Sequence, residues 1–363
     1  MQSSSARCLE LSARSPFTCY VPPVSDGFSS TGRPRLSFLT PAYRTEAYLA
    51  DTIQSVLDQT STEWELVVVD NGNSESIAKI VESYSDPRIR LVRQENRGYT
   101  GGVMAAAAVA RGDYISVLDS DDQLMPEFVH TMLKYIDAHP EVDAVGCDAH
   151  LFHDGDERPA GRGYLHSIGS RVPSADGDLL SVDDVLAGRV PYYTCAIRKA
   201  AWQEVGGYQP GVDGVDESVL IWLRLAGAFE VRLLPAKLAR YRVREDSLSR
   251  EPDKVEGFEE SLIHTFEQFA AESADAQHQH IVQAPVRRLR YHQALRRARW
   301  AFSDGDIGAA RRFARDALAQ QRTLRAVAIV LLLKFTPRLL RSVYPLKQRL
   351  GQAARRALQR DNA

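Results

Sequence analysis

Tyr114-Ile115-Ser116-Val117-Leu118-Asp119-Ser120-Asp121-Asp122 joins an apolar run to three carboxylates within four positions. The run 114–118 follows Gly112 and reads as a buried strand. Carboxylates at the carboxyl end of such a strand stand where open α/β sheets bind their ligands. Crowded together they repel one another, and their pKa values rise unless a cation neutralises them. A hard divalent ion, with phosphate oxygens completing its shell, resolves that repulsion. The competing explanation is an acidic helix start, a common use of aspartate.

Outward from this stretch, strands and helices alternate. Arg35-Leu36-Ser37-Phe38-Leu39-Thr40 is predicted as a strand closed by Pro41, and residues 45–57 as a helix with Leu49, Ile53 and Val56 on one face. A second buried strand, 65–70, ends in the turn Asp70-Asn71-Gly72-Asn73. Then come a helix at 76–84, a strand at 89–92, and an Ala-rich helix at 103–110 opened by Gly98-Tyr99-Thr100-Gly101-Gly102. Short loops between these elements imply an α/β fold, a doubly wound and mostly parallel sheet. Tyr43, Asp70 and the Asp119 cluster all fall at strand carboxyl ends.

The 44% hydrophobic and 25% charged fractions are those of an ordinary globular protein. A formal charge of −2 hides an asymmetry: residues 285–363 carry 19 Lys/Arg against 4 Asp/Glu, so an acidic body precedes a basic tail. Such a tail suits an anionic surface. Cys8, Cys19, Cys147 and Cys195 form no C-x-x-C pair, which argues against a zinc site or disulfide framework and for a reducing, cytoplasmic setting. Residues 1–34 lack both periodicity and the apolar core of a signal peptide, and read as a disordered lead-in. No stretch reaches the ~20 apolar residues of a bilayer span.

The motifs, in order, resemble those of glycosyltransferase family 2. They are Leu39-Thr40-Pro41-Ala42-Tyr43, Ser55-Val56-Leu57-Asp58-Gln59, Val67-Val68-Val69-Asp70, Glu95-Asn96-Arg97-Gly98, and Ala110-Arg111-Gly112-Asp113-Tyr114 leading into the acidic cluster. Val205-Gly206-Gly207-Tyr208, Leu220-Ile221-Trp222-Leu223-Arg224-Leu225 and the block 241–249 resemble the acceptor side of that family. The resemblance spans about 35–250 and implies a GT-A fold, with 251–284 a helical connector and 285–363 a C-terminal helical region. It also implies an inverting transferase that moves a sugar from a nucleotide-diphosphate sugar, a UDP-sugar foremost, to a hydroxyl on a glycan or lipid-linked acceptor. The setting it implies is cell-surface polysaccharide or glycolipid assembly.

Under that resemblance Asp70 accepts a hydrogen bond from the base, with Tyr43 packed beside it and Thr40 and Pro41 shaping the pocket. Asp119 reaches the ribose, with Ser120 in the same pocket, and Asp121 ligates Mg2+ or Mn2+, Asp119 assisting. Arg97 helps fix the diphosphate. Asp122 either accepts hydrogen bonds behind the metal or caps the helix after Pro126. The other reading of Asp70 is a turn-forming residue before Gly72.

Three positions depart from the family pattern. Inversion needs a base for the acceptor hydroxyl, usually in a Glu-Asp pair that aligns with Glu217-Ser218 here. Serine cannot serve, so the base is expected at Glu217 or Asp216, with Glu217 favoured and Asp213 a weaker candidate; the alternative is that Asp216 merely caps the helix. Val103-Met104 replaces the usual Arg-Asn. Arg244 stands where a histidine can bind metal, and an arginine there pairs with diphosphate instead. His150, His153 and His166 lack ligand spacing and read as loop residues. Trp202 is a candidate sugar platform, and Trp222 a core residue.

In the tail, 286–302 and 307–319 read as an α-hairpin, followed by a helix at 322–335. The segment 322–341, apolar at 326–333 with basic ends, either docks in an anionic membrane interface, placing the protein peripherally on the inner face, or packs on the hairpin. Nucleic acid is a poor partner, since the tail carries no binding motif and few stacking aromatics. The competing functions are a sugar nucleotidyltransferase, disfavoured because Pro41-Ala42-Tyr43-Arg44 is no Gly-rich phosphate loop, and a degenerate binding subunit, suggested by Met104, Ser218 and Arg244.

Overall fold

The computed structural model describes residues 33–153, 163–170, 173–189, 195–209, 216–243 and 255–335. Nearly all of the expected lead-in 1–34, together with Asp213, Arg244 and the end of the 322–341 segment, lies outside them.

The strands are β1 (Leu36–Ala42), β2 (Trp64–Asn71), β3 (Ile89–Gln94), β4 (Tyr114–Val117), β5 (Gln123–Leu124), β6 (Ala144–Phe152), β7 (Asp178–Leu179), β8 (Cys195–Arg198) and β9 (Val231–Arg242). The helices are α1 (Leu49–Leu57), α2 (Glu75–Glu82), α3 (Gly98–Val109), α4 (Phe128–Ala138), α5 (Tyr164–Ser167), α6 (Val182–Leu186), α7 (Lys199–Glu204), α8 (Glu217–Ala228), α9 (Val255–Glu272), α10 (Ala276–Ile281), α11 (Gln283–Ser303), α12 (Ile307–Gln320) and α13 (Leu324–Phe335).

Strand order is β3-β2-β1-β4-β8-β6-β9-β5, with β7 on β9. The half β3-β2-β1-β4 is parallel; β8 then enters antiparallel between β4 and β6, while β6 and β9 are parallel again. The sheet is covered on both faces. Leu66 and Val68 of β2 join one core with α1 and α4, and Val67 and Val69 join the other with α3, α8 and α9. Double coverage explains why β2 reads as an unbroken apolar run.

Pro41 does not close β1, which continues to Ala42 with Pro41 opposite Val69. The Leu39 carbonyl accepts from Leu118 N–H, so Pro41, two residues on, also faces the β4 side. Since β4 has ended by then, the missing proline N–H costs no ladder bond. The first helix begins at Leu49 rather than 45 because Arg44 has a left-handed φ of 58° and the chain turns before Tyr48. Helix α3 starts early, at Gly98, and packs across the end of β1. A Cβ on Gly102 would lie 2.8 Å from Pro41 Cβ, so glycine permits that approach.

Helix α9 belongs to the α8 core through Ile263, Phe266 and Phe269. Helices α11, α12 and α13 pack on one another through Ala294, Ala298, Ala310, Ala314, Ala317, Ala326 and Leu333.

Candidate active site

Just beyond β4 the chain turns through Asp119–Asp122 into β5, which pairs with β9. Asp122 is buried; its Oδ1 accepts the Arg242 backbone N–H (2.8 Å), and its carbonyl accepts Thr52 Oγ1 (2.7 Å). It does not cap the following helix, because Glu127 holds the N-cap of α4. The Arg242 guanidinium donates to the Asp121 carbonyl (2.7 Å), pairs with Asp51 (3.3 Å) and lies over the Tyr48 ring. Ser120 is buried and donates to Thr45 Oγ1 (2.9 Å), tying the acidic tip to the loop before α1.

This leaves Asp119 and Asp121 partly open. Tyr99, at the start of α3, donates its hydroxyl to Asp119 Oδ1 (2.7 Å). Burial, and next the neighbouring charge of Asp121, push the Asp119 pKa up to about 6. Asp122 is raised as well, first by burial and then by Asp119 and Asp121. Burial and the mutual repulsion of these carboxylates thus act together at the tip. Among the described residues no group of three or more His, Cys, Asp or Glu side chains could by itself hold a metal ion. Two hard carboxylates nonetheless suit a divalent ion whose other ligands come from phosphate and water.

Along the carboxyl ends of the strands, Thr40 is buried with Oγ1 lacking a hydrogen-bond partner among the described residues. Tyr43, 43% exposed, lays its ring beside the Gly72 backbone, where a Cβ would sit 3.0 Å from Tyr43 Cδ2. Pro41, Tyr43 and the Asp70–Asn73 turn thus border one region. Asp70 itself is wholly buried: Oδ1 accepts Ser74 N–H (2.9 Å), and Oδ2 pairs with Arg93 Nε (3.1 Å). It fills the turn-forming role, and a hydrogen bond to a base would have to share those oxygens. Arg97 is exposed at the N-cap of α3. Its backbone N–H donates to Asn71 Oδ1 (3.1 Å), and Asn71 Nδ2 donates to the Gly98 carbonyl (2.8 Å). Asn71, buried between these loops, sets where α3 begins.

On the acceptor side, Asp216 caps α8. Its Oδ1 accepts Ser218 N–H (3.1 Å), Val219 N–H (3.2 Å) and the Ser218 hydroxyl. Its own N–H donates to Thr265 Oγ1 on α9 (2.8 Å). The serine that displaces the expected carboxylate has become part of the cap. Glu217 differs: one oxygen accepts Gln209 N–H (3.2 Å), the other is buried with no partner among the described residues, and burial holds its pKa above the ordinary carboxylate range. Contacts connect the two regions. Tyr208, next to Gln209, packs 6.2 Å from Tyr99, which binds Asp119. Trp202 is buried and stacked on Tyr208 at 5.4 Å, so it supports this wall instead of offering a sugar platform. Trp222 is core, and His150 lies half-buried in β6 rather than in a loop.

The residues that sequence reasoning passed over are Tyr99, Arg242, Asn71 and Thr45. Arg242 carried a usable signal, being an arginine in the same block as Arg244, but its neighbours are distant in sequence.

A mixed sheet with a parallel N-terminal half and an acidic turn after β4 defines the GT-A class of fold. Two solved structures share it: S. aureus TarS residues 1–349 in complex with UDP-GlcNAc (TM-score 0.54, 19% identity, 82% of this chain and 84% of that one), and the mannosyltransferase PcManGT from Pyrobaculum calidifontis in complex with GDP-Man and Mn2+ (TM-score 0.52, 18%, 85% and 83%). Residues 37–199, somewhat under half of the chain, match the model of glycosyl transferase family 2. The succinoglycan biosynthesis protein ExoO of Rhizobium meliloti is 36% identical over 106 residues, which cover 29% of this chain and 30% of ExoO. The chain thus spans less than a third of that relative.

Proposed function

We propose that the chain is a divalent-metal-dependent, inverting glycosyltransferase that uses a nucleotide-diphosphate sugar, a UDP-sugar foremost. The observation that carries this reading is the placement of Asp119 and Asp121, both partly open, on the turn at the carboxyl end of β4, with Tyr99 bonded to Asp119 and Asp122 and Ser120 buried behind them. Asp121, with Asp119, would hold Mg2+ or Mn2+. When bound, such an ion supplies charge neutralisation for the departing nucleoside diphosphate. Tyr99 orients Asp119 through their hydrogen bond to Oδ1, and Asp119 would reach the ribose. Arg242 holds the Asp121 backbone, fixing where its carboxylate points. Pro41, Tyr43 and the Asp70 turn would border the base, with Arg97 beside the diphosphate.

Glu217 would take the acceptor hydroxyl proton as that oxygen attacks the sugar from the face opposite the leaving group. Its second oxygen, without a partner among the described residues, supports this assignment over Asp216, whose Oδ1 is occupied by the α8 cap. The nucleotide sugars bound by TarS and PcManGT support a nucleotide-sugar donor, and ExoO's role in succinoglycan biosynthesis supports a polysaccharide setting, in which the acceptor would be a glycan or a lipid-linked glycan. No described helix is long and apolar enough to cross a membrane; an acceptor held at a bilayer would be met by a peripheral enzyme on its cytoplasmic face.

Thermal melts against UDP-, dTDP- and GDP-sugars, with and without Mn2+, test the proposal. A ligand bound by the native state raises Tm, and the expected rise requires sugar nucleotide and ion together. No shift with any nucleotide sugar would contradict it.

A further inference from the structure

We propose that α13 is a membrane-surface anchor, seating Leu324, Val327, Leu331 and Phe335 in the interface of an anionic bilayer. The helix packs on its neighbours by one side: Ala326 and Leu333 are buried, and Ile329 and Val330 are partly buried, against α11 and α12. Positions 324, 327, 331 and 335 follow the i, i+3, i+7, i+11 spacing of a single stripe on the opposite side. That stripe faces out. Leu324 is 92% exposed, Leu331 48% and Phe335 68%. Isolated exposed apolar residues are ordinary, but a continuous row of large ones along a packed helix marks a surface that meets something apolar.

The charges around the row say what. Arg322 stands just before the helix, Arg325 in its first turn and Lys334 in its last, all exposed. Arg311 of α12 reaches the same end, donating to the carbonyls of Leu333 (2.9 Å) and Lys334 (3.3 Å). From Ala317 to Arg360 there are ten Lys/Arg and no Asp or Glu. An apolar protein partner would not require that one-sided field. Anionic headgroups do, since basic side chains bracket lipid phosphates while the apolar face enters the acyl boundary. The basic residues of α11 are used differently: Arg290, Arg296 and Arg297 pair with Glu267, Glu259 and Glu256 of α9. The acidic partners of the tail are thus spent on holding it to the body, and α13 keeps its positive charge outward.

Flotation of the full-length chain with vesicles tests this. Vesicles of 30 mol% phosphatidylglycerol in phosphatidylcholine are compared with pure phosphatidylcholine, in low and high salt. The chain should float with the anionic vesicles only, and less in high salt. The exposed pair Leu331→Glu/Phe335→Glu should lower partitioning about tenfold with Tm unchanged, and Arg325→Glu/Lys334→Glu should do likewise. The idea fails if the chain ignores anionic vesicles, or if Leu331→Glu/Phe335→Glu floats like the parent, meaning that charge alone binds. It fails equally if light scattering shows a dimer that this variant makes monomeric while no vesicle binds. Nucleotide-sugar thermal shifts, measured without vesicles, keep this outcome separate from the proposed activity.

Discussion

Glu217 and Asp216 are adjacent carboxylates with opposite fates, decided by which backbone donors each can reach. Asp216 precedes the helix and collects the orphan N–H groups of its first turn, while Glu217, the first helical residue, points its side chain toward Gln209. Glu217→Gln should lower kcat by roughly 10²–10⁴-fold, the range for a lost general base, and leave donor binding intact. Rate measurements beside nucleotide titrations check it; unchanged kcat would remove Glu217 from the mechanism. The pH dependence follows in sign. The base works only when ionised, and burial raises its pKa, so activity should fall on an acid limb above the ordinary 4.5. The same raised pKa means the folded state binds that proton more tightly than the unfolded chain, so the ionised form costs stability as pH rises through it. Glu217→Gln should therefore not lower Tm at pH 7.

Arg242 belongs to the same scale. A lysine there keeps the charge but loses the fork that reaches the Asp121 carbonyl and Asp51 together. Arg242→Lys should weaken Mn2+-dependent nucleotide binding about tenfold, a loss of about 1.4 kcal/mol measurable by calorimetry. The sequence pointed to Arg244 because the family block draws the eye to that position. Arg242 sits in the same block, but its role could not be read there, because its partners lie up to 191 positions away and depend on β9 bringing its end beside the acidic turn.

At the scale of elements, α3 is positioned by a close approach and a buried amide. Gly102→Ala would drive a methyl into Pro41, whose ring cannot yield, and crowd Asn71 Nδ2 at 3.3 Å. The expected cost is about 1–3 kcal/mol, as for other overpacked contacts. Since Tyr99 rides on the same helix, nucleotide affinity should fall along with Tm. Denaturant melts and nucleotide titrations read both, and a variant normal in each would mean that α3 can shift freely. Strands β2 and β4 of the parallel half were readable because coverage on both faces makes them nearly continuous apolar runs. What escaped was long-range. Nothing local announces that β8 enters antiparallel between β4 and β6, or that Pro41 can remain in a strand because its neighbour has already ended.

For the molecule as a whole, the charge asymmetry seen in the sequence is partly an internal device. Glutamates on α9 face arginines on α11 across the packed tail, with Arg297–Glu256 at 3.0 Å and Arg290–Glu267 at 2.6 Å. Such exposed pairs contribute ~0–1 kcal/mol each. Helix α9 in turn supports the site, because Thr265 receives the Asp216 N–H at the head of α8. The tail is thus linked to the head of α8 through α9 and a helix cap. The acidic turn remains the part from which everything else in the proposed chemistry takes its meaning. The most direct test is Mn2+-dependent release of nucleoside diphosphate from a nucleotide sugar that stabilises the protein, compared between the parent chain and Asp121→Asn. The account predicts release that chelation abolishes and that Asp121→Asn slows by roughly 10²–10³-fold. Release at the parent rate by Asp121→Asn, or release indifferent to chelation, would contradict it.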